Sequence, residues 1–353
     1  MPGELRRPRG YLTVAGGRVD VVSMEIHLGR EAKSDTMHAE FPMTGGLGVA
    51  FWCDTAEIEI KGHIAEDGES GPAIFTGQVS SVRPNWLRRT IDIDCHDKSK
   101  KMMERKSLSE AFKNKKGKDV IEEVAKRHGL KVSTKADTLK AGREYDIDTV
   151  HQPRELTDWD IINNLADSEG LSVALDGDTL YLGPEGEDDL PVLAVTYVPP
   201  TPQSVASGTF MTLSEVRNLN MAGKTTVKVS SWDHKAKKKI EGKKTLSGAS
   251  GTGADGDGIT YEYQAPGLKQ DRASRIAEKR LRRSTKQERQ ITLEIPGETG
   301  VRARMKLELS GTECSFDQGY DIESAEHRLN PEEGYRVLVT AKAASKDRTI
   351  SDG

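Results

Sequence analysis

Apolar and polar residues alternate with a period of two over most of residues 11–96. Val19, Val21, Met24, Ile26 and Leu28 keep this rhythm with one slip, and Ala56–Gly62 keeps it cleanly with Ile58 and Ile60 on one side. Thr90–Asp94 repeats it with Ile91 and Ile93. Such alternation marks half-buried strands of an antiparallel sheet, because successive side chains leave a strand on opposite faces. Breaks at Gly45–Gly46, Gly71–Pro72 and Pro84 separate the runs, and the short spacing predicts a small barrel or sandwich.

The rhythm changes after Asp97. Val120, Ile121, Val124 and Ala125 form a helical stripe that stops at Gly129, and Trp159, Ile162, Leu165 and Ala166 form a second one that stops at Gly170. Glycine suits the position just past a helix because it tolerates positive φ. Thr157 and Asp160 stand where an N-cap residue and its reciprocal acid belong. Each helix leads into Gly-Leu-x-Val, and Leu175–Leu180 reads as a hairpin with Gly177 in its turn. Residues 98–189 therefore read as an α+β module with Trp159, Ile162 and Leu165 in its core, ending in the acidic, proline-bracketed stretch 183–191.

Strand texture returns at Val192–Val198, Leu213–Leu219 and Thr225–Ser231, and again near 290–295, 304–309, 320–325 and 336–341. Between these runs lies a basic region, about 232–289. It holds Lys235, Lys237, Lys238, Lys239, Lys243 and Lys244, then five glycines within 248–258 that predict a surface loop, then a helix over 268–289. That helix has nine Lys or Arg against three Asp or Glu, and a narrow stripe of Ala273, Ile276, Ala277 and Leu281. Arg272, Arg275, Lys279, Arg280, Arg282, Arg283 and Lys286 are expected around its remaining surface. With the lysines at 235 and 237–239, the five arginines are the candidate charges for a subunit interface or a channel, with the acidic link Glu185–Asp189 of an adjacent chain or passing DNA as their partners.

Composition narrows the function. Charged residues make up 31% of the 353, above the usual ~25%, which favours several small cores or an oligomer over one thick core. No window approaches 18 apolar residues, so no membrane insertion is expected. No apolar run follows the basic start, so no secretory signal is expected. A net charge of −4 argues against a protein that coats nucleic acid. Catalytic material is sparse. Cys53, Cys95 and Cys314 form no C-x-x-C pair, the eight histidines make no metal-binding spacing, and Gly223–Thr225 lacks the first glycine of a phosphate loop because Asn218 stands there. No cofactor, metal or catalytic residue is assigned.

A weak internal echo remains. Gly77–Val82 passes through Pro84 to the strand Thr90–Asp94, and Tyr320–Ala325 passes through Pro331 to a strand over 335–340. Two related β-domains, 1–97 and 190–353, flanking the inserted module explain the repeat. Chance likeness of two hairpins explains it as well.

The order of these segments resembles the contractile-tail phage baseplate hub family, also called late-control protein D, which is related to the N-terminal part of the type VI secretion spike protein. The likeness rests on Gln152, Glu155, Thr157, Asp158, Ile161, Ile162, Leu165, Ala166 and Gly170 in the insert. It rests also on Tyr320–Leu329, including His327, followed by Gly334–Val339. The resemblance implies a mainly β fold of two tube-type antiparallel β-barrel domains with the α+β insert. Three chains would form a trimeric pseudo-sixfold ring that adapts a sixfold tail tube to a threefold central spike. It further implies a virion tail baseplate location, with tail tube, central spike, tape measure and baseplate wedge proteins as partners and DNA only in transit. The sequence ends without a repetitive β-helix, so the spike is expected as a separate protein. A tail-associated enzyme that degrades the cell wall is the alternative class.

Overall fold

A computed structural model describes residues 7–30, 34–44, 47–66, 68, 70–104, 116–134, 157–184, 190–219, 223–233, 237–247, 258–343 and 350–352. The predicted alternation is realised from the start. β1 (Arg9–Val14), β2 (Gly17–Asp20), β3 (Ser23–Gly29) and β4 (Thr36–Pro42) precede a short helix, α1 (Val49–Asp54). β5 (Glu59–Ala65), β6 (Ala73–Asn85) and β7 (Thr90–His96) follow. In β7, Ile91, Ile93 and Cys95 are buried while their neighbours are half-buried.

These strands form a ring of hydrogen bonds. Antiparallel pairing runs β1–β5–β6–β7–β4–β3, and β2 pairs back to β1. One bent length of backbone thus serves both ends: Val21 N–H donates to Gly10 at 3.1 Å and Val22 N–H to Glu40 at 2.7 Å. Closing the sheet on itself removes the free edges that invite wrong pairing.

Asp97 fixes the exit from this ring. Its carboxylate accepts from Ser34 Oγ (2.6 Å), Asp35 N–H (3.0 Å) and the backbone and hydroxyl of Ser99. The chain continues through α2 (Ser99–Met103), α3 (Gly117–Arg127), β8 (Lys131–Thr134), α4 (Asp158–Ser168), β9 (Ser172–Asp176) and β10 (Thr179–Gly183). Val120, Ile121, Val124, Trp159, Ile162 and Leu165 share a separate core with the three-stranded sheet β8–β10–β9. Thr157 Oγ1 accepts from Asp160 N–H, and Asp160 Oδ2 accepts from Thr157 N–H, so the reciprocal cap forms. Gly129, Gly170 and Gly177 all have positive φ.

A second ring uses β11 (Val192–Val198), β12 (Ser207–Gly208) and β13 (Thr212–Arg217). The chain then leaves it for β14 (Thr225–Asp233), β15 (Lys238–Leu246), β16 (Ile259–Gln264) and α5 (Gln270–Thr285). It returns as β17 (Arg289–Pro296), β18 (Lys306–Ser310), β19 (Gly319–Asn330) and β20 (Gly334–Ala343), with β21 (Ile350–Asp352) last. Pairing runs β11–β18–β19–β20–β17–β13. A bent stretch again closes it, Thr209 N–H bonding to Thr196 on β11 and Met211 N–H to Glu294 on β17. Taken in chain order, each strand occupies the place of its counterpart in the first ring. One pairing corrects the all-antiparallel expectation: β11 and β18 are parallel, whereas β1 and β5 are antiparallel. Alternation in a sequence does not encode strand direction, and the long chain between β11 and β18 satisfies the crossover that parallel pairing needs.

Between β13 and β17 the expected strand at 225–231 and the basic helix form, and two strands that the sequence did not announce, β15 and β16, join them. β16–β14–β15–β21 form a four-stranded sheet, and Val227, Val229, Ile240 and Leu246 pack there against Ala273, Ile276, Ala277 and Leu281. Lys238–Leu246 is a strand whose buried Ile240, Gly242, Thr245 and Leu246 are masked in the sequence by the lysines between them. Lys235 and most of the glycine cluster, 248–257, lie outside the described residues.

The two rings join where β3 pairs antiparallel with β19, Ile26 opposite His327 and Leu28 opposite Ala325. One hydrophobic core spans both, from Leu12 and Ile93 to Leu307 and Val339. His327 is wholly buried at this seam. Burial pushes its pKa down to about 4, so the ring is neutral at pH 7. Nε2 then donates to the Val301 carbonyl at 3.1 Å, and Nδ1 accepts from the Tyr335 hydroxyl at 2.7 Å.

Two measurements check these packing relations. Leu165→Ala is expected to cost ~2–5 kcal/mol in urea unfolding, and Thr157→Ala ~0.5–2 kcal/mol. Asp35 supplies a pH test. Burial raises its carboxyl to about 8, opposed by the Gly29 N–H it accepts and reinforced by neighbouring Asp97. The folded state therefore holds this proton more tightly than the unfolded chain. The stability it contributes is complete below pH ~4 and is lost as pH rises through ~8. Asp35→Asn, which keeps the acceptor for Gly29, should remove that loss when melting of the two proteins is compared across pH 4–8.

Candidate assembly interface

The basic helix was the main source of candidate interface charge, and its surroundings sort those charges into two groups. α5 lies between two surfaces. On one side it packs on β14 and β15, so closely that a Cβ on Gly242 would fall 2.2–2.4 Å from the Ala273 carbonyl atoms. Alanines at 273 and 277 permit that approach. On the other side it meets the end of α4, where a Cβ on Gly170 would fall 2.9–3.0 Å from Arg275.

Arg272, Ile276 and Lys279 are spaced i, i+4 and i+7, which puts them on one face. That face turns toward α4. Arg272 donates to Glu169 at 2.7 Å, with both side chains at most 6% exposed. Lys279 donates to Asp167 at 2.5 Å and to the Leu171 carbonyl. Both cations thus sit at the C-terminal end of α4, where the helix dipole favours positive charge. Arg272, Lys279 and Lys286 therefore do not belong with the exposed charges: all three are buried, and the acid that meets Arg272 is in its own chain, 103 residues away. Just beyond α5, Lys286 bonds buried Asp321 of β19 at 3.1 Å, and Arg30 approaches the same carboxylate at 3.5 Å.

The other candidates face outward. Arg275, Arg280 and Arg283 are exposed. Arg280 lies 4.0 Å above the Tyr263 ring, a cation–π contact. Arg282 is half-buried and bonds Glu278 one turn back at 2.9 Å. Lys237, Lys238 and Lys239 are exposed at the β14–β15 connection, and Lys239 pairs with Glu241 at 2.8 Å. The structure thus brings Arg280, Arg282 and Arg283 together on one helix and places the lysines at a hairpin end. Trp159, Ile162 and Leu165 are buried in the insert. Sequence reading passed over Glu169 and Asp167 as partners. Their signal was a cation at each end of an i, i+7 pair beside small apolar residues, which marks a face meant for burial.

Among the described residues, no group of three or more His, Cys, Asp or Glu is placed to hold a metal ion. No described helix is long and apolar enough to cross a membrane.

A family model for phage tail baseplate hub proteins (GPD) matches residues 98–333. Among solved structures, a tail protein from Neisseria meningitidis MC58 superposes with a TM-score of 0.68 at 14% identity, covering 95% of this chain and 96% of the other. The 43 kDa tail protein of prophage MuSo2 from Shewanella oneidensis gives 0.64 at 12% identity, covering 97% and 100%. An Escherichia coli component of the type VI secretion system gives 0.54 at 10%, covering 95% and 77%. At these identities the likeness is one of fold. No curated protein matches the chain.

The buried pair Arg272–Glu169 gives a direct test of how the two inserted layers are held. Arg272→Met or Glu169→Met alone leaves one buried charge without this partner and should cost ~3–5 kcal/mol. The double substitution should cost clearly less than the sum, as read from a double-mutant cycle in urea.

Proposed function

The chain belongs to the phage tail baseplate hub family, and from that premise we propose that it adapts a sixfold tail tube to a threefold central spike as a homotrimer. The family's place is the virion tail baseplate, and its role is structural. The observation that supports the adapter reading is the repeated strand order. If residues 1–97 and 190–353 are two related domains carried by one chain, three copies present six similar rings around a threefold axis. Closed cyclic symmetry of this kind is the usual outcome of homo-oligomer assembly. Residues 98–189 would then be an insert on the outside of that plan.

In this reading the tail tube meets one face of the trimer and the spike the other, with tape measure and wedge proteins as further neighbours. DNA or an effector passes through the opening without being held. The outward cations, Lys237–Lys239, Arg275, Arg280, Arg282 and Arg283, are the candidate contacts to neighbouring acidic surfaces. Each exposed pair contributes only ~0–1 kcal/mol, so several must act together.

Light scattering on the purified chain, alone and mixed with the spike protein, tests the proposal. The expected mass corresponds to three copies of this chain. Arg282→Glu with Arg283→Glu should weaken association without shifting the melting temperature, and added salt should weaken it further. A chain that stays monomeric with and without the spike contradicts the adapter reading.

A further inference from the structure

Two surfaces lie apart from the charged helix face described above, and they complement one another. The first is the tip of the β6–β7 hairpin. No residue of β6 from Gln78 to Asn85 is fully buried, but Val79 and Val82 pack on the core beside buried Ile91 and Ile93 of β7, so only the turn that joins the two strands stands clear of it. At its end Trp86 is 69% exposed and Leu87 98%. The turn is nevertheless held in shape. Arg88 N–H donates to Asn85 Oδ1 at 3.1 Å, and Met43 N–H donates to the Arg89 carbonyl at 2.8 Å. Arg88 and Arg89 are exposed beside the apolar pair. A fixed turn that presents Trp, Leu and two arginines has the composition of an interface anchor, since Trp and Arg dominate binding energy where proteins meet.

The second surface is a cavity of about 460 Å³ in which the second ring meets the end of β5. Leu193, Val195, Ile295 and Tyr335 supply its apolar lining, and Glu66 and Glu298 bring carboxylates to it. Glu66 is held in place by Thr299, whose N–H and hydroxyl donate to its Oε1 at 2.7 and 2.8 Å. Glu298 is exposed. The volume lies in the range that encloses a sizeable ligand, and the acids have the sign that Arg88 and Arg89 require.

One chain cannot bring the two together. The cavity borders the Ala73 end of β6, where His63 pairs with Ala73. The tip lies at the other end of this thirteen-residue strand, roughly 40 Å away at ~3.3 Å per residue. We propose that the tip of one copy seats in the cavity of a neighbouring copy, with Trp86 and Leu87 on the apolar lining and Arg88 and Arg89 facing Glu66 and Glu298. The proposal rests on the reading that the chain assembles with copies of itself, and adds which surfaces meet. A tip-to-cavity contact is heterologous: an open assembly keeps one unused tip at one end and one unused cavity at the other until a ring closes, and a ring of three leaves none.

A disulfide trap in the full chain tests the contact. Cys53→Ser and Cys314→Ser first remove the exposed thiols. Leu87→Cys and Glu298→Cys are then added, the protein is mildly oxidised, and covalent species are resolved on a denaturing gel. Linked dimers and trimers are expected from the chain with both cysteines, at least tenfold above either single-cysteine chain, and Trp86→Ala should abolish them. In parallel, Arg88→Glu with Arg89→Glu should move self-association to at least tenfold higher concentration at unchanged melting temperature. Adding Glu298→Arg to that chain should restore part of the loss, an outcome that a folding defect would not produce. If the wild-type chain forms trimers while no cross-link appears and the tip variants associate normally, this contact is wrong and the adapter reading stands. Loss of binding to another tail protein by the tip variants alone, with self-association intact, also overturns it. A chain monomeric under all conditions, with no cross-link, overturns both.

Discussion

The antiparallel pairing of β3 with β19 is the constraint on which the rest of the molecule depends. It joins segments some 300 residues apart and turns two strand rings into one continuous sheet with one core. Its register is fixed by burial on both strands: Met24, Ile26 and Leu28 face inward beside Ala325, His327 and Leu329. A slip of one residue would turn all of these toward solvent. His327 makes such a slip costlier still, because its two ring nitrogens are matched to Tyr335 and Val301 and would lose both partners. With the rings fused in this way, the two inserted layers branch from one continuous sheet.

Charged contacts link the inserted layers to each other and to the fused rings. Arg272–Glu169 and Lys279–Asp167 join α5 to the end of α4, and Lys286–Asp321 joins the end of α5 to β19 beside the seam. Buried ion pairs contribute little net stability, because desolvation offsets most of their attraction. They discriminate strongly, however, since any other docking of α5 would strand a buried charge. A chain with 31% charged residues thus places matched acids and cations where its layers meet.

Much of the local structure was legible in the sequence. The alternation at Ile58/Ile60 and Ile91/Ile93, the stripes at 120–125 and 159–166, the Thr157–Asp160 cap and the positive φ of Gly129, Gly170 and Gly177 are all short-range features. Each is set by the residues that display it. What escaped reading was non-local or masked. β15 was hidden because lysines fill the positions between its buried residues. α1, with buried Trp52 at its centre, is too short to show a period. The direction of β11 against β18 and the acids that face Arg272 and Lys279 depend on chain more than a hundred residues away. The candidate interface suffered most, since a helix wheel cannot say which cations meet a neighbouring layer of the same chain.

The central claim is that the β3–β19 seam makes the two rings one cooperative body, and native-state hydrogen exchange measures this directly. The account predicts that paired amides of Met24–Gly29 and Ser324–Leu329 exchange as slowly as those of β7 and β20, and lose protection at the same denaturant concentration as the cores of both rings. Exchange of the seam amides well before either core, with each ring then opening independently, would contradict it.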